Sequence, residues 1–394
     1  MEEKTYHVVQ SNVEEMNEKI HRHRRKVVII ILLIIFAIAA TAVGIYVYIQ
    51  NKTYTTFEVI KTIEREDAVG TQFKEFSGNI LKYGKDGAVY LSEDGQMIWN
   101  QTYEMQAPMV DICEKYVGIA EQKGKEIYIM DTKGQCGKID TNMPIQRIQI
   151  ANQGTVAVLM EQEGTGYIQV YDKEGTFLAE GEVHTENSGY PLDIAISNDG
   201  CKLALSLLDI NEGKVKTTII FYNFTSVGQN EIDNIVGTYS YADMIVPQIE
   251  FLTNDIMAAF GDSKTILFEG TQKPQVKNEI SMKQEIRSIF YNEAYMGFVF
   301  ENENSKNRYK MEVYDLRGTK VLTQNYDMEY TAIEFLENDE ICIRNELECM
   351  IYSLRGVQKF HYNFDKSIWK VLSDKMGTEY TFLMTGETQK VRLK

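Results

Sequence analysis

Two histidines beyond residue 50 are the side chains best suited to nucleophilic catalysis or metal binding, and they lie far apart. His184 stands in the polar segment GEVHTENSG, and His361 stands in the apolar segment KFHYNF. A Ser-His-Asp triad or a histidine-rich metal site would depend on one of them. Because each is isolated, we expect a solvated loop residue at His184 and an outer-strand residue at His361.

Acidic residues are numerous enough to supply the carboxylate pair of a glycoside hydrolase, but no spacing singles out two of them. Such a site would need acids together with an Arg or a Tyr at one place. Asp193 and Arg147, each near the start of a predicted strand, are the residues we would expect to meet there. Phosphate-binding loops, calcium loops and Cys-x-x-Cys pairs do not occur in the sequence. We therefore predict no catalytic residue, no cofactor-binding residue, no metal ligand and no cofactor.

The cysteines are odd in number and widely spaced, at positions 113, 136, 201, 342 and 349. If Asn345 and Glu346 form a two-residue hairpin turn, Cys342 and Cys349 lie directly opposite each other as a hydrogen-bonded pair. A cross-strand disulfide could then join them. Five free thiols packed as small apolar side chains are the alternative.

A recurring strand-and-turn element organises the chain beyond residue 50. Short runs of Ile, Val, Tyr and Phe end in a polar residue, two variable residues and a glycine, as in YIQVYDKEG (167–175) and MEVYDLRG (311–318). Asp or Ser can bond the backbone two residues on, and the glycine permits a positive φ. The turn glycines, about 43 residues apart on average, are Gly95, Gly134, Gly175, Gly228, Gly270, Gly318 and Gly356.

Each interval divides into about four strand-like runs, which predicts an all-β propeller. Phe57–Asp67 is a strand without a blade, whereas the last unit has only three strands, so we expect the former to complete the latter. This count gives eight blades. Seven is the alternative, because the 53-residue interval after Gly175 could contain an insertion at 211–214 or 227–234.

A charge-free segment precedes the repeats. Residues 27–49 read VVIIILLIIFAIAATAVGIYVYI, which as a helix would reach about 34 Å and span a bilayer. Five basic residues between Lys19 and Lys26 place the N-terminus in the cytoplasm by the positive-inside rule. A cleaved signal peptide is the alternative, although the apolar run is too long for one. The predicted divisions are a cytoplasmic tail (1–26), a signal anchor (27–49), a linker (50–56) and an extracytoplasmic propeller (57–394).

The charge of the chain is uneven and restricts its partners. The net charge of the chain is −16, and residues 1–26 carry +1, so residues 51–394 carry −17. A domain this acidic repels nucleic acid and anionic lipid at long range. We expect a protein or another cell-envelope component as the partner, the membrane through residues 27–49, and no nucleic acid.

Several stretches resemble an uncharacterised family of membrane-anchored, propeller-like proteins from Gram-positive bacteria. They are the segments 81–103, 144–154, 189–206 and FYNF (221–224). Residues 92–99, which end in Trp99, are also similar to single blades of sialidase-like and quinone-cofactor-type propellers, and the repeats are WD40-like. These resemblances imply a blade architecture and assign no functional residue.

The resulting expectation is a non-catalytic binding or scaffold module in the cell membrane, facing outward. A cell-surface enzyme acting on carbohydrate is one alternative. A transmembrane sensor that relays binding to the tail is the other.

Overall fold

The structure is a computed structural model that describes residues 13–184, 188–302 and 306–394. Within these ranges the side chains at 13–15, 17, 42, 45–47, 49 and 50 lie outside the described set. The chain divides into two compact units between Thr53 and Tyr54.

The first unit contains one helix, α1 (Val13–Gln50), in its described part. Among the residues described, no helix is long and apolar enough to cross a membrane. The predicted span 27–49 includes five side chains outside the described set, at 42, 45–47 and 49. The membrane crossing therefore stays a prediction. Residues 1–12 of the predicted tail also lie outside the described residues.

The second unit is an eight-bladed propeller, in which each blade is a four-stranded antiparallel sheet. Its first strand, β1 (Phe57–Glu64), belongs to the last blade. Blades 1 to 4 comprise β2 (Gln72–Phe76), β3 (Asn79–Gly84), β4 (Gly87–Leu91) and β5 (Met97–Thr102); β6 (Pro108–Cys113), β7 (Tyr116–Glu121), β8 (Glu126–Asp131) and β9 (Gly134–Asp140); β10 (Ile145–Ile150), β11 (Val156–Gln162), β12 (Thr165–Tyr171) and β13 (Phe177–His184); β14 (Tyr190–Ile196), β15 (Lys202–Asn211), β16 (Lys214–Asn223) and β17 (Ile235–Ala242).

The remaining blades repeat this plan. Blades 5 to 8 comprise β18 (Gln248–Phe251), β19 (Ile256–Phe260), β20 (Lys264–Glu269) and β21 (Gln275–Ser281); β22 (Ile286–Tyr291), β23 (Tyr295–Glu301), β24 (Tyr309–Asp315) and β25 (Lys320–Tyr326); β26 (Ala332–Phe335), β27 (Ile341–Arg344), β28 (Glu348–Tyr352) and β29 (Gln358–Asn363); β30 (Ile368–Ser373), β31 (Tyr380–Met384), β32 (Glu387–Leu393) and β1. The prediction of eight blades is confirmed.

Strand β1 closes the ring as predicted. It pairs antiparallel with β32, from Phe57 opposite Leu393 to Glu64 opposite Glu387. Just beyond it, Arg65 is almost buried, bonds both oxygens of Asp67 and lies 4.6 Å above the ring of Phe73 in blade 1. The pairing of β1 thus completes blade 8, and Arg65 joins blade 8 to blade 1 because it also donates to Met384 O at 2.8 Å.

Apolar side chains pack between neighbouring blades. One such core joins Phe76, Leu81 and Tyr90 of blade 1 to Val117 and Ile119 of blade 2. Because each sheet is covered on both faces by its neighbours, strands in the middle of a blade are nearly continuous apolar runs. Burying one large apolar side chain stabilises the fold by roughly 1.5–3 kcal/mol.

The long interval after Gly175 has its extra residues at both predicted places, within blade 4. Strands β15 and β16 form a hairpin of ten residues each around residues 211–214. Two 3-10 turns, Gly228–Asn230 and Ile232–Asn234, lie between β16 and β17. The 53-residue spacing therefore reflects an enlarged blade 4 and does not change the number of blades.

Two of the seven turn glycines depart from the predicted turn chemistry. Gly95, Gly175 and three others have positive φ, whereas Gly228 and Gly270 do not. At Gly228 an added Cβ would lie 1.6 Å from a backbone oxygen, and at Gly270 it would lie 2.6 Å from one. Glycine is required there by close backbone approach instead of by the left-handed conformation.

The predicted register of the Cys342 hairpin is wrong. Asn345 Oδ1 accepts a hydrogen bond from the backbone N–H of Glu348 at 2.8 Å, so Asn345 is the first residue of the turn, which lies one residue later than predicted. Cys349 consequently pairs with Arg344. The two cysteines are buried diagonal neighbours with free thiols, whose Sγ atoms are 3.7 Å apart.

Candidate functional site

The first strand of every blade lines the central channel, and polar side chains interrupt these otherwise apolar strands. Four of these strands contain a β-bulge near the start. A bulge turns the following side chain out of the regular alternation of a strand. The residues directly after the four bulges are Arg147, Asp193, Ser288 and Lys370.

Two carboxylates on these strands bond the backbone of the next blade. Asp111 Oδ2 accepts a hydrogen bond from the N–H of Ile150 at 2.7 Å, and Asp193 Oδ2 accepts one from the N–H of Ile249 at 3.0 Å. An innermost strand has a sheet partner on one side only, so its remaining N–H groups need another acceptor. Asp111 and Asp193 supply that acceptor and tie blade 2 to blade 3 and blade 4 to blade 5.

The structure brings together the two residues that the sequence proposed as a pair. Arg147 Nε lies 3.6 Å from Asp193 Oδ1, between blades 3 and 4. Asp193 is almost buried, whereas about half of the Arg147 side chain is exposed. The guanidinium can therefore still contact a molecule that enters the channel.

Glu250 lies at the centre of a second polar group on the channel wall. Tyr291 of blade 6 donates its hydroxyl hydrogen to Glu250 Oε2 at 2.8 Å, and Gln248 Nε2 donates to the same hydroxyl at 3.2 Å. Gln149 Nε2 reaches Glu250 Oε2 at 3.5 Å from blade 3, across the width of blade 4. The channel is therefore narrow at this level.

The acids of the channel resist ionisation. Burial raises the pKa of Asp111 to about 6, and it raises the pKa of Asp193 to about 6. Burial, and then the charge of Asp111, raises the pKa of Glu250 to about 8. At neutral pH Glu250 is mostly protonated and can donate a hydrogen bond as well as accept one. Within the described ranges, no group of His, Cys, Asp and Glu side chains is arranged to hold a metal ion.

Basic side chains occupy the other side of the channel. Lys74 Nζ donates to the carbonyl oxygen of Val110 at 2.6 Å, and burial lowers the pKa of this lysine. Lys370 of blade 8 forms an ion pair with Glu334 of blade 7. The wall is thus a sequence of contacts between blades, with acids on blades 2, 4, 5 and 7, Arg147 on blade 3 and lysines on blades 8 and 1.

One end of the channel is surrounded by the loops that join the first two strands of each blade, which we call the mouth loops. They are hydrogen-bonded to one another from blade to blade, which restricts their motion. These bonds run from Asn152 N to Asn198 O (2.7 Å), Asp199 N to Asn254 Oδ1 (2.9 Å), Asn292 Nδ2 to Asp339 Oδ1 (2.7 Å) and Ser373 Oγ to Asn338 Oδ1 (3.1 Å).

A cavity of about 400 Å³ opens among these loops beside blades 1, 6 and 7. We call its four acids, Glu75, Glu293, Glu337 and Asp339, the acidic mouth. Burial and the neighbouring charge of Glu337 raise the pKa of Glu75. Glu293 and Glu337 are exposed. One of the four acids is paired, since Lys375 Nζ lies 3.5 Å from Glu337 Oε1. The site therefore presents a net negative charge, most of it on constrained loops.

Comparison with known proteins shows a family match that covers the whole propeller. Residues 50–393 match a family of unknown function, DUF5711. The chain belongs to that family. No curated protein sequence matches it.

Solved structures share the fold of this family member at low sequence identity. The crystal structure of BamB from Moraxella catarrhalis is 11% identical, with a TM-score of 0.52 over 86% of this chain and 100% of that one. The C-terminal WD40 domain of Sif2 is 12% identical, with a TM-score of 0.55 over 86% and 99%. At these identities the likeness shows the propeller fold alone, and it confirms the expected WD40-like architecture.

The two histidines beyond residue 50, His184 and His361, lie on outer strands. His361 is in β29, as predicted, and its Nε2 lies 2.6 Å from Glu348 Oε1. His184 was expected in a loop but is the last residue of β13, where it is exposed and 3.9 Å from Glu182. Both positions are on fourth strands, whereas the channel is lined by first strands.

Sequence reasoning missed Asp111, Glu250 and Tyr291. A signal for one of them was present, because QIEFLTND and AIEFLEND have the same pattern and place Glu250 and Glu334 at the same point of a first strand. A charged residue flanked by Ile and Phe in a buried strand indicates a special environment. The contacts of Asp111 and Tyr291 depend on neighbouring blades and have no local signature.

Proposed function

We propose that this protein is a membrane-tethered, extracytoplasmic binding or scaffold module without catalytic activity, whose partner is a protein or another cell-envelope component. The observation that carries the proposal is the acidic mouth on mutually bonded loops. Loops held in one conformation lose little entropy when a partner docks, so more of the contact energy becomes affinity. A partner would present Lys or Arg to Glu293, and to Glu337 in place of Lys375.

The tether rests on residues 27–49. Every described side chain from Val27 to Phe36 is exposed, at 40% to 72%. A helix that is apolar on all sides needs an apolar environment, which a bilayer would supply. The bases from Lys19 to Lys26 favour a cytoplasmic N-terminus and an outward-facing propeller.

A pull-down tests the binding function. The full chain in lipid nanodiscs is incubated with solubilised cell envelope, and the retained proteins are identified by mass spectrometry. We expect one saturable partner, which the variant Glu293→Lys/Glu337→Lys loses. The matched control is Glu163→Lys/Glu212→Lys, with the same charge change in loops between second and third strands. Equal loss in both variants, or retention in both, would count against the acidic mouth.

A carbohydrate-acting enzyme is the second candidate, favoured by the unequal acids of the channel. Glu250, with a pKa of about 8, could donate a proton, and Asp193, with a pKa of about 6, could act as a base. Release of reducing ends from cell-wall glycan that disappears in Glu250→Gln would support this reading. Unchanged glycan in the presence of the native protein would leave the binding module as the better account.

A further inference from the structure

A cleft of about 440 Å³ separates the outer parts of blades 3 and 4. Its floor is apolar and consists of Ile168, Val170, Leu203, Tyr222 and Phe224. Its edge includes residues 233–235, of which the first two belong to the 3-10 turn Ile232–Asn234 of the enlarged blade 4. The volume is within the range of about 300–1,000 Å³ that is usual for ligand pockets.

The charged residues of the cleft are all acidic. Asp233 stands at its edge, whereas the side chains of Glu180 and Glu182 alternate with Ala179 and Gly181 and lie on the opposite face of β13, where Glu180 accepts a hydrogen bond from Gln169. No Lys or Arg of the described chain is among the lining residues. Burial raises the pKa of Tyr222 to about 12, and the negative charge of Asp233 contributes to this increase. The charge of Asp233 is therefore felt at the hydroxyl of Tyr222.

We propose that this cleft binds a segment of a partner protein that presents a large apolar side chain beside a Lys or Arg. The apolar side chain would displace water from the floor, and the cation would approach the carboxylate of Asp233 at the edge. This site is separate in sequence from the acidic mouth, so it does not depend on the function proposed there.

A single substitution at Gly181 can block the cleft. It lines the opening, has no positive φ, and has no heavy atom within 4 Å of the position where a Cβ would stand. A phenylalanine at this position would fill the cleft without a backbone clash. Gly181→Ala, which adds one methyl group, is the matched control for loss of glycine.

The experiment uses the full chain in lipid nanodiscs with labelled methyl groups. The probe is a blocked peptide with Lys-Phe-Lys between glycines, and the comparison peptides carry Glu-Phe-Glu or Lys-Ser-Lys. We expect Lys-Phe-Lys to shift the methyl signals of Ile168 and Val170 saturably, in the native protein and in Gly181→Ala. Gly181→Phe should abolish the shifts, and Asp233→Asn should weaken binding about threefold, as for an exposed ion pair.

Several outcomes would overturn the proposal. Shifts that persist in Gly181→Phe would place the peptide elsewhere. Equal shifts with Glu-Phe-Glu would show a cleft indifferent to charge. Methyl signals perturbed by the nanodisc lipid before peptide is added would assign the cleft to an acyl chain. Absence of any shift at millimolar peptide would also reject it.

Discussion

At the scale of single residues, Glu250 makes the stability of the fold depend on pH. The folded protein holds the proton of Glu250 up to a pKa of about 8, whereas the ordinary value is 4.5. The unfolded chain releases that proton more readily, so stability falls as the pH rises between these values. Asp111 and Asp193 act in the same direction up to a pKa of about 6.

The variant Glu250→Gln should remove part of this dependence. Between about pH 5 and about pH 8, we expect the native protein to lose about 3–4 kcal/mol more unfolding free energy than the variant. Urea denaturation at several pH values measures the difference. Glu293→Gln, at the exposed mouth, is the control and should keep the native slope. Parallel curves for Glu250→Gln and the native protein would show that Glu250 ionises normally.

The cysteine pair gives a second prediction at this scale. Cys342 and Cys349 contact each other as thiols, and this contact, together with burial, raises the pKa of Cys349 well above its ordinary value. We expect all five cysteines to react with a thiol reagent after unfolding without reductant. A count of three would reveal a disulfide, and its return to five in the presence of reductant would prove it.

The sequence could not supply the channel group because its members meet only through the fold. Asp111 bonds Ile150, which is 39 residues later, and Tyr291 bonds Glu250 at a separation of 41. These separations are close to one blade, so the contacts arise from the stacking of repeats. A local pattern could mark a polar residue in an apolar strand, but not its partner.

At the scale of elements, the junction of blades 8 and 1 depends on Arg65. Its removal would leave the buried carboxylate of Asp67 with Lys82 as its main ion-pair partner. We expect Arg65→Ala to lower the unfolding free energy by about 3 kcal/mol, since a broken buried pair is costly. Equilibrium urea denaturation measures this change.

Arg392→Ala is the matched control for that variant. Arg392 bonds Glu379 at 2.9 Å in the same blade, but its side chain is more than half exposed. An exposed pair contributes less than about 1 kcal/mol. Similar losses in the two variants would mean that Arg65 does not hold the junction.

Elements were the most predictable part of the fold, because turn residues act locally. The sequence alone predicted the glycine spacing, the four strands of the blade at 145–183 and the role of Phe57–Asp67. Errors arose where a turn could start at either of two neighbouring residues. At Asn345 a shift of one residue in the turn moved the pairing of Cys349 by two positions.

At the scale of the whole molecule, ring closure should depend on the contacts of β1 and not on its place in the chain. Phe57 lies opposite Leu393, and Lys394 N donates to Thr56 O at 2.8 Å. Moving residues 56–64 to follow Lys394 would convert this pair into an ordinary hairpin. We expect a variant of this kind to fold with a native circular dichroism spectrum and one unfolding transition. A broad, two-step transition would contradict this view of closure.

The number of blades followed from the repeat period, but the size of blade 4 and its cleft did not. A spacing of 53 residues fits an enlarged blade as well as an altered blade count, and only the pairing of β15 with β16 separates them. The acidic mouth likewise combines residues from blades 1, 6 and 7, which are distant in sequence. Net charge predicted the sign of this surface, and the fold determined its location.

The proposal that the acidic mouth docks a partner is tested most directly by photo-crosslinking in cells that express the full chain. A photoreactive amino acid is placed at Glu293 in the mouth loops, or at Glu163 in a loop between second and third strands. We expect one discrete protein adduct from position 293, formed outside the cytoplasm, and none from position 163. Equal adducts from both positions, or an adduct from position 163 alone, would contradict the proposal.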